Sequence, residues 1–574
     1  MTTEATSQVT GQDVARRVGE RVGEALLEAR QATVKRLYLT VDPAAVVGVA
    51  DELFNQMGAR YVITAATDQR RSHGAYLITH FFSFDTDDIY VAVHARVPEG
   101  EARIASVTPT IPGAGWAERE MRDVMGVEPV GHPDPRRLVL PDDWPDHLHP
   151  LRCDFSTADS PAPVEGMEMP MKDIPDGAVL VPVGPYFPTQ HEPESFAVFV
   201  EGETVVGSDY RGFYNHRGIE KLGCSDLTYN QIPFVAERIC GICGFVHSCA
   251  YCMAVEEAAG IEVPRRADYI RTIFLELERL HSHLLWTGVA AHIIGFDTLF
   301  MQTWRMREPV MWLCEKLTGN RKTYGMNIVG GVRRDIPDGA HDDIEQVVAD
   351  IEREWSALAD AVPGDRTLMA RLRDVGYLSP EQARDVCALG PTARGSGKRI
   401  DVRIDHPYAA YDELELSAPV EEGGDTLART LVRLAETPIA IAIIRQALAQ
   451  MPAGPVRAEI DEEIPPGLEG IAAVEAPRGE SFHWVLTGEN NRPARWRVRA
   501  PTYANLQAID GMIKGDVLAD VPIDIGSIDP CYSCTDRMTV IDRRSGQMRV
   551  MTREEMMEAR EPGNGNRQPG NDNG

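Results

Sequence analysis

Residues 238–247 read RICGICGFVH, and residues 529–534 read DPCYSC. Each stretch holds one Cys-x-x-Cys pair, and the four thiols are Cys240, Cys243, Cys531 and Cys534. Two thiolates separated by two residues can ligate one metal from a single turn of chain, and four thiolates make a soft-metal site. The two motifs predict that distant segments of the chain meet at a metal, with zinc, an iron–sulfur cluster and nickel as candidates.

The spacing between the pairs bears on which kind of metal site this is. Zinc ribbons place their two pairs roughly 15–20 residues apart, whereas Cys243 and Cys531 are hundreds of positions apart. This spacing favours a catalytic or redox metal. A structural zinc clip and unligated thiols remain the alternatives at this point.

Composition excludes several classes of protein. The 574 residues carry 58 Lys and Arg against 87 Asp and Glu, a net charge of −29, which argues against a nucleic-acid binder. Ten cysteines are too few for a disulfide scaffold in a chain of this length. The first twelve residues lack an apolar core, and the most apolar stretch, 284–296, is too short to span a bilayer. We therefore expect membrane association only through partner proteins.

Hydrophobic patterning predicts an α+β fold: a small N-terminal α+β domain, followed by a large, mainly α-helical domain with a β-rich start. Helical spacing predicts an amphipathic helix over 13–36. The other predicted elements are strands at 38–41 and 90–93, a helix at 44–56, a strand at 179–183, a hairpin at 196–207, and helices at 265–288, 341–388 and 424–450. Residues 561–574 contain only glycine, proline, amide and charged types, which predicts disorder.

The two cysteine motifs resemble those of the large subunit of [NiFe] hydrogenases, which has Arg-x-Cys-Gly-x-Cys-x-x-x-His and Asp-Pro-Cys-x-x-Cys. Residues 116–120 (WAERE) and 131–137 (GHPDPRR) resemble the 30-kilodalton subunit of respiratory complex I. Residues 216–222 (HRGIEKL) and 401–403 (DVR), followed by Tyr408, resemble its 49-kilodalton subunit. The combination is similar to the membrane-bound, complex I-related group of the formate hydrogenlyase (hydrogenase-3) type, over residues 35–550.

The resemblance implies a domain plan and a cofactor. All four motif thiols would hold nickel, and Cys243 and Cys534 would bridge it to an iron that carries CO and cyanide. No further cysteine cluster is present for an iron–sulfur centre, so electrons would pass to a small iron–sulfur subunit. The implied boundaries are an N-terminal amphipathic helix at 1–36, a 30-kilodalton-like docking domain at 37–155, a linker at 156–175, the catalytic domain at 176–537 and a C-terminal extension at 538–574.

The resemblance also assigns roles around the metal. Arg478 would overhang it and polarise H₂ or hydrogen-bond the cyanide, and Asp529 would orient that arginine. His247 would donate a hydrogen bond to a bridging thiolate. Glu220 would relay protons, and we expect burial near thiolates to raise its pKa. Without the resemblance, each residue has an ordinary structural interpretation.

Three further residues lie outside the set of site residues that the resemblance assigns. Cys249 and Cys252 form a third Cys-x-x-Cys that the family does not require, and we interpret them as core thiols. Asp297 is either an acid near the metal or a satisfied buried carboxylate.

Proteolytic maturation is a further implication of the resemblance. Arg537 stands where many members have a histidine associated with a Mg²⁺ ion, so that ion is not implied here. A maturation endopeptidase would cut between Arg537 and Met538.

The predicted function is reversible conversion of protons and electrons to H₂. The chain would lie on the cytoplasmic side of the cell membrane, held by hydrophilic and membrane subunits of a complex I-like assembly. Formate dehydrogenase, carbon monoxide dehydrogenase or ferredoxin would supply electrons. The alternatives are a nickel-free, complex I-like quinone oxidoreductase subunit, which would lack the four cysteines, and a zinc-binding scaffold.

Overall fold

The computed structural model describes residues 9–159, 161–166, 170–185, 193–214, 216–460 and 463–532, with short strands at 540–541 and 548–549. Within these residues, no helix is both long enough and apolar enough to cross a membrane. Cys534, Arg537 and the predicted disordered tail lie outside the described residues.

The N-terminal domain is built on a five-stranded mixed sheet in the order β1-β2-β5-β4-β3. β2 and β5 are parallel, and the other neighbours are antiparallel. Its strands are β1 (Leu26–Thr33), β2 (Arg36–Val41), β3 (Arg60–Gln69), β4 (Ala75–Phe84), β5 (Ile89–Pro98), β6 (Arg103–Ala105) and β7 (Glu128–Val130). Its helices are α1 (Gly11–Val22), α2 (Val46–Asp51), α3 (Arg70–His73) and α4 (Gly115–Met125). The two predicted strands, 38–41 and 90–93, are confirmed within β2 and β5.

The helix predicted over 13–36 is wrong beyond Val22. Thr10 caps the start of α1 by accepting from the backbone N–H of Asp13. Gly23 ends the helix with φ +58°, a backbone conformation that glycine adopts without a steric penalty. Residues 26–33 then pair with β2 as an edge strand. All but one residue of β1 are exposed, so the strand lacks the alternating apolar pattern that would have predicted it.

The large domain begins with β strands and continues as packed helices. The β strands are β8 (Val179–Val183), β9 (Ser195–Glu201), β10 (Thr204–Arg211), β11 (Asn327–Ile328), β12 (Gly331–Val332), β13 (Glu469–Ala476), β14 (Gly479–Thr487), β15 (Pro493–Arg499), β16 (Val540–Ile541) and β17 (Met548–Arg549). β9 and β10 confirm the predicted hairpin, and β8 completes an antiparallel sheet with them. β13, β14 and β15 form a second antiparallel sheet.

The helices of this domain supply its core. They are α5 (Ile219–Ser225), α6 (Ile232–Ala236), α7 (Gly244–Ala259), α8 (Arg265–Ile293), α9 (Asp297–Thr318), α10 (His341–Ala361), α11 (Arg366–Leu372), α12 (Pro380–Asp385), α13 (Gly390–Arg394), α14 (Val402–Asp405), α15 (Thr426–Gln450), α16 (Pro501–Asn505), α17 (Ile509–Ile513) and α18 (Val521–Ser527). α8 packs between α9 and α15, and α7 packs on β13 and β14. The second sheet thereby holds the helix that follows the first cysteine motif.

The N-terminal domain packs directly on this sheet through buried ion pairs. Arg60 of β3 donates to Glu480 of β14 at 2.6 Å, and Arg497 of β15 donates to Glu120 of α4 at 2.7 and 2.8 Å. Glu480 is fully buried. Buried charges of this kind are stable only when paired, so the two domains fix each other's position.

Candidate metal centre

The two cysteine motifs meet in the folded chain. Cys240 Sγ lies 3.1 Å from Cys531 Sγ, and both side chains are buried. This distance exceeds a disulfide bond of about 2.05 Å and suits two thiolates on one soft metal, since metal–thiolate bonds are about 2.3 Å long. Within the described part of the chain, no three His, Cys, Asp or Glu side chains converge tightly enough to enclose an ion; Cys534, the fourth predicted ligand, is not described.

Backbone groups favour the thiolate form of Cys240. The N–H groups of Ile242 and Cys243 point at its sulfur from 3.3 and 3.1 Å. α7 begins at Gly244, directly after the motif, and the amino end of a helix carries partial positive charge. Donors and partial positive charge of this kind stabilise negative charge on the sulfur, so this segment suits metal ligation.

Glu278 of α8 holds the start of α7 in place. Its two carboxylate oxygens accept from the backbone N–H groups of Phe245 and Val246, each at 3.0 Å. Burial raises the pKa of Glu278 to about 8. No sequence spacing pointed to this residue, because its partners are backbone groups of a different helix.

Arg478 and Asp529 form a buried pair beside the thiols. Arg478 Nε donates to the backbone oxygen of Asp529 at 2.5 Å, and Nη2 donates to Oδ1 at 2.9 Å. Burial raises the pKa of Asp529, and the Arg478 guanidinium opposes that rise. Arg478 Nη1 and Asp529 Oδ2 are buried without a hydrogen-bond partner among the described residues. A charged donor left open next to thiolates fits a polar metal ligand such as cyanide.

His247 lies in the first turn of α7 and is fully buried. Its Nδ1 lies 3.1 Å from Nε2 of His483 and 3.3 Å from Oγ of Ser481. Burial lowers the pKa of His247 to about 4. Its other nitrogen, Nε2, is buried and meets no partner within the described residues.

A mainly apolar cavity of about 200 Å³ reaches this cluster. Cys531, Asp529 and Arg478 line one end. Its remaining wall is largely apolar and includes Trp286 and Trp304, together with Ile242, Leu285, Val289 and Ile525. A small apolar molecule fits such a space without losing hydrogen bonds.

The expected direction of the pKa shift of Glu220 is wrong. We expected a raised pKa, and the pKa is lowered: burial alone would raise it, but two arginines outweigh that effect. Arg495 Nη1 lies 2.7 Å and Arg497 Nη1 3.1 Å from the carboxylate, which also accepts from the backbone N–H of Val498. Arg495 and Arg497 are alternate residues of β15, on either side of the buried Trp496, and the sequence around Glu220 does not reveal this pairing.

Two other expectations have clear outcomes. Cys249 and Cys252 are fully buried on α7, which confirms them as core thiols. Asp297 is not buried, because it begins α9 and is 69% exposed, and it pairs with His292 at 2.7 Å, so its interpretation as a satisfied buried carboxylate is wrong.

The family models that match this protein cover its N-terminal domain and its large domain separately. Residues 39–161 match the 30 Kd subunit of respiratory-chain NADH dehydrogenase, and 294–467 and 460–537 match its 49 Kd subunit. Residues 217–288, which contain the first cysteine motif, match the nickel-dependent hydrogenases. Formate hydrogenlyase subunit 5 of Escherichia coli is 42% identical over 536 residues, which cover 92% of this chain and 94% of that one. The chain belongs to the complex I-related family of hydrogenase large subunits.

A further relative and a solved structure support this family membership. Hydrogenase-4 component G of Escherichia coli is 40% identical over 93% of this chain and 94% of its own length. A chain of the membrane-bound sulfane sulfur reductase, an archaeal respiratory membrane complex, has a TM-score of 0.60 at 31% identity, covering 64% of this chain and all of that one. The family is thus one of oxidoreductase subunits within membrane-bound complexes.

Proposed function

We propose that this chain is the catalytic large subunit of a [NiFe] hydrogenase that interconverts H₂ with protons and electrons. The observation that carries the proposal is the contact between Cys240 and Cys531 beside the buried Arg478, whose Nη1 has no partner among the described residues. A soft-metal site of thiolates needs such convergence. The membership in the hydrogenase large-subunit family supports the same activity.

The residues fit the cofactor by their chemistry. Cys240, Cys243, Cys531 and Cys534 would hold nickel, with Cys243 and Cys534 shared with an iron that carries CO and cyanide. When bound, the centre supplies the redox chemistry that cleaves or forms H₂. The chain's own part is to exclude water with the apolar cavity and to present the Arg478 guanidinium to the metal ligands. Electrons would leave through a partner iron–sulfur subunit.

Proton transfer is assigned to Glu220 as part of this proposal. Arg495 and Arg497 hold its carboxylate ionised at neutral pH, which gives a proton acceptor that is available but weakly basic. Such an acceptor carries a proton only transiently, because its pKa lies below the neutral pH at which a relay group is best matched.

A nickel-free subunit like those of complex I is the second candidate. The match of residues 294–537 to the 49 Kd subunit favours it, and so does the likeness to a sulfane sulfur reductase chain. A zinc scaffold is the third. Neither candidate has a use for four motif cysteines together with the buried Arg478–Asp529 pair.

The setting of the enzyme is proposed from its relatives. Hydrophilic and membrane subunits of a complex I-like assembly would hold it at the cytoplasmic face of the membrane. Formate dehydrogenase, carbon monoxide dehydrogenase or ferredoxin would donate electrons for H₂ evolution. An endopeptidase would remove residues 538–574 after insertion of the metals.

Metal content with an infrared spectrum tests the proposal. The chain is produced with hydrogenase maturation proteins, and its nickel, iron and mass are measured. We expect about one nickel and one iron, CO and cyanide stretching bands, and loss of residues 538–574. The C531S variant should lose nickel, whereas the matched C252S variant, which alters a core thiol, should retain it. Zinc alone in a processed sample, or nickel retained by C531S, would contradict the proposal.

A further inference from the structure

His247 ends a buried chain of three hydrogen-bonded side chains. Trp496 Nε1 of β15 lies 3.1 Å from Nδ1 of His483, and Nε2 of His483, on β14, lies 3.1 Å from Nδ1 of His247. All three side chains are fully buried. Two strands of the second sheet, β14 and β15, therefore connect directly to the helix of the first cysteine motif.

The donor and the acceptor of each hydrogen bond among these three side chains follow from which ring nitrogens can carry a proton. An indole N–H can only donate, so Nδ1 of His483 must accept and carries no proton. Burial holds the pKa of His483 well below its usual value, so its ring is neutral and has one N–H, on Nε2. That N–H donates to Nδ1 of His247. The opposite direction would leave His483 without a proton on either nitrogen.

The same constraint passes to His247. Its Nδ1 accepts, so its proton is on Nε2. The hydroxyl of Ser481, 3.3 Å from Nδ1, agrees with this assignment because a hydroxyl can donate as well. Nε2 is the buried nitrogen without a partner among the described residues, so the chain of hydrogen bonds leaves a single N–H donor beside the cysteine motif.

We propose that Trp496 and His483 are positioning residues that lock His247 in its Nε2–H form, so that it donates to a thiolate sulfur of the metal centre. Hydrogen bonds to metal-ligating groups tune the metal, and outer partners of this kind commonly change affinity or activity 10–100-fold. The thiolate as acceptor rests on the proposed function, whereas the tautomer of His247 is a property of the polypeptide without its metal.

Nitrogen NMR of the metal-free full chain tests the tautomer without any metal. The 15 histidines are labelled with ¹⁵N, and the H247Q and H483Q variants identify the two sets of ring signals. We expect His247 and His483 each to show one protonated nitrogen, Nε2. W496F removes the first donor and should leave both rings as mixtures of tautomers. W484F, which alters a buried indole of β14 that donates to Glu469 instead, should leave the pattern unchanged.

The metal-loaded enzyme tests the consequence. H483L removes the donor to His247, and we expect shifted CO and cyanide bands and a 10–100-fold lower turnover. H483Q should restore both, because its amide oxygen can accept from Trp496 while its amide N–H donates to His247. If H483L does not fold, W496F carries the same comparison with W484F as its control.

The outcomes separate this inference from the proposed function. Nδ1-protonated His247 in the metal-free chain, or an unchanged tautomer pattern in W496F, would overturn the inference whatever metal the protein binds. Wild-type bands and turnover in a folded H483L enzyme would overturn it too. A protein without nickel but with the expected tautomers would instead refute the proposed function. The assignment of the His247 tautomer to Trp496 and His483 would still stand.

Discussion

Arg478 and Asp529 each keep one buried polar atom that has no partner among the described residues, although they bond to each other twice. Leaving a buried polar group unpaired costs about 1–3 kcal/mol. Such a cost can persist where the open atoms have a functional use, and the proposed function gives them one: contact with a ligand of the metal.

Lysine in place of Arg478 tests that use. R478K keeps a positive charge but loses the planar guanidinium group, which donates to Asp529 through Nε and Nη2. We expect turnover to fall about 10–100-fold while nickel content stays at the wild-type level. R492K, at an exposed arginine that donates to a backbone oxygen, is the control. A wild-type turnover for R478K would show that charge alone suffices.

Glu220 is the second test at the scale of single residues. E220Q keeps the shape of the side chain and one acceptor oxygen but cannot accept a proton. We expect the metals to remain and H₂ turnover to fall by about 100-fold or more, the usual contribution of a general acid or base. E128Q, at an exposed glutamate paired with Arg103, should behave as wild type. Full activity in E220Q would assign the proton route to another group.

At the scale of elements, α18 places the second cysteine motif. Trp286 Nε1 donates to the backbone oxygen of Gly526 at 2.8 Å, and Arg429 donates to Ser527 at 3.0 Å. Asp524 of the same helix is fully buried, and burial together with the nearby Asp516 raises its pKa to about 9. The folded chain therefore keeps a proton on Asp524 at neutral pH.

This proton makes stability depend on pH. Between about pH 4, where an unfolded aspartate ionises, and pH 9, folded Asp524 is protonated and its unfolded form is not. Unfolding then releases a proton, so the free energy of unfolding falls by about 1.4 kcal/mol per pH unit from this group as pH rises. D524N should remove that slope in urea unfolding measured from pH 5 to 8, and the exposed-site control D360N should keep it. An unchanged slope in D524N would contradict the assignment.

At the scale of the whole molecule, the N-terminal domain supports the strand that follows Arg478. Arg60 bonds Glu480, two residues after Arg478, and also pairs with Asp85 at 2.7 Å. The predicted docking role of this domain toward other subunits stays a prediction. Its packing against β14 and β15 of its own chain is a feature that the sequence did not indicate.

R60M should destabilise the two domains together. It leaves Glu480 buried with Arg499 as its remaining ion-pair partner among the residues described and the Tyr90 hydroxyl as a neutral donor, and removing one partner of a buried pair costs about 3–5 kcal/mol. We expect one cooperative transition at a clearly lower temperature in calorimetry. R103M breaks an exposed pair with Glu128, worth about 0–1 kcal/mol, and serves as the control. Equal melting temperatures for the two variants would rule out a stabilising interface at Arg60.

The sequence by itself determined the family, the four motif thiols and some of the regular elements, such as β2, β5, the β9–β10 hairpin and the long helices α8 and α15. These follow from short-range spacing, because a turn of chain sets the reach of Cys-x-x-Cys and a 3.6-residue period sets a buried helix face. β1 escaped prediction because an exposed edge strand carries no apolar alternation.

Only the tertiary structure decided which groups face the site. It paired Glu220 with Arg495 and Arg497, and it aligned Trp496, His483 and His247. The partners come from elements far apart in the sequence, so no local pattern records them. Burial then sets the charge and tautomer of each group through its neighbours, which is why the pKa of Glu220 is lowered where the sequence predicted a rise.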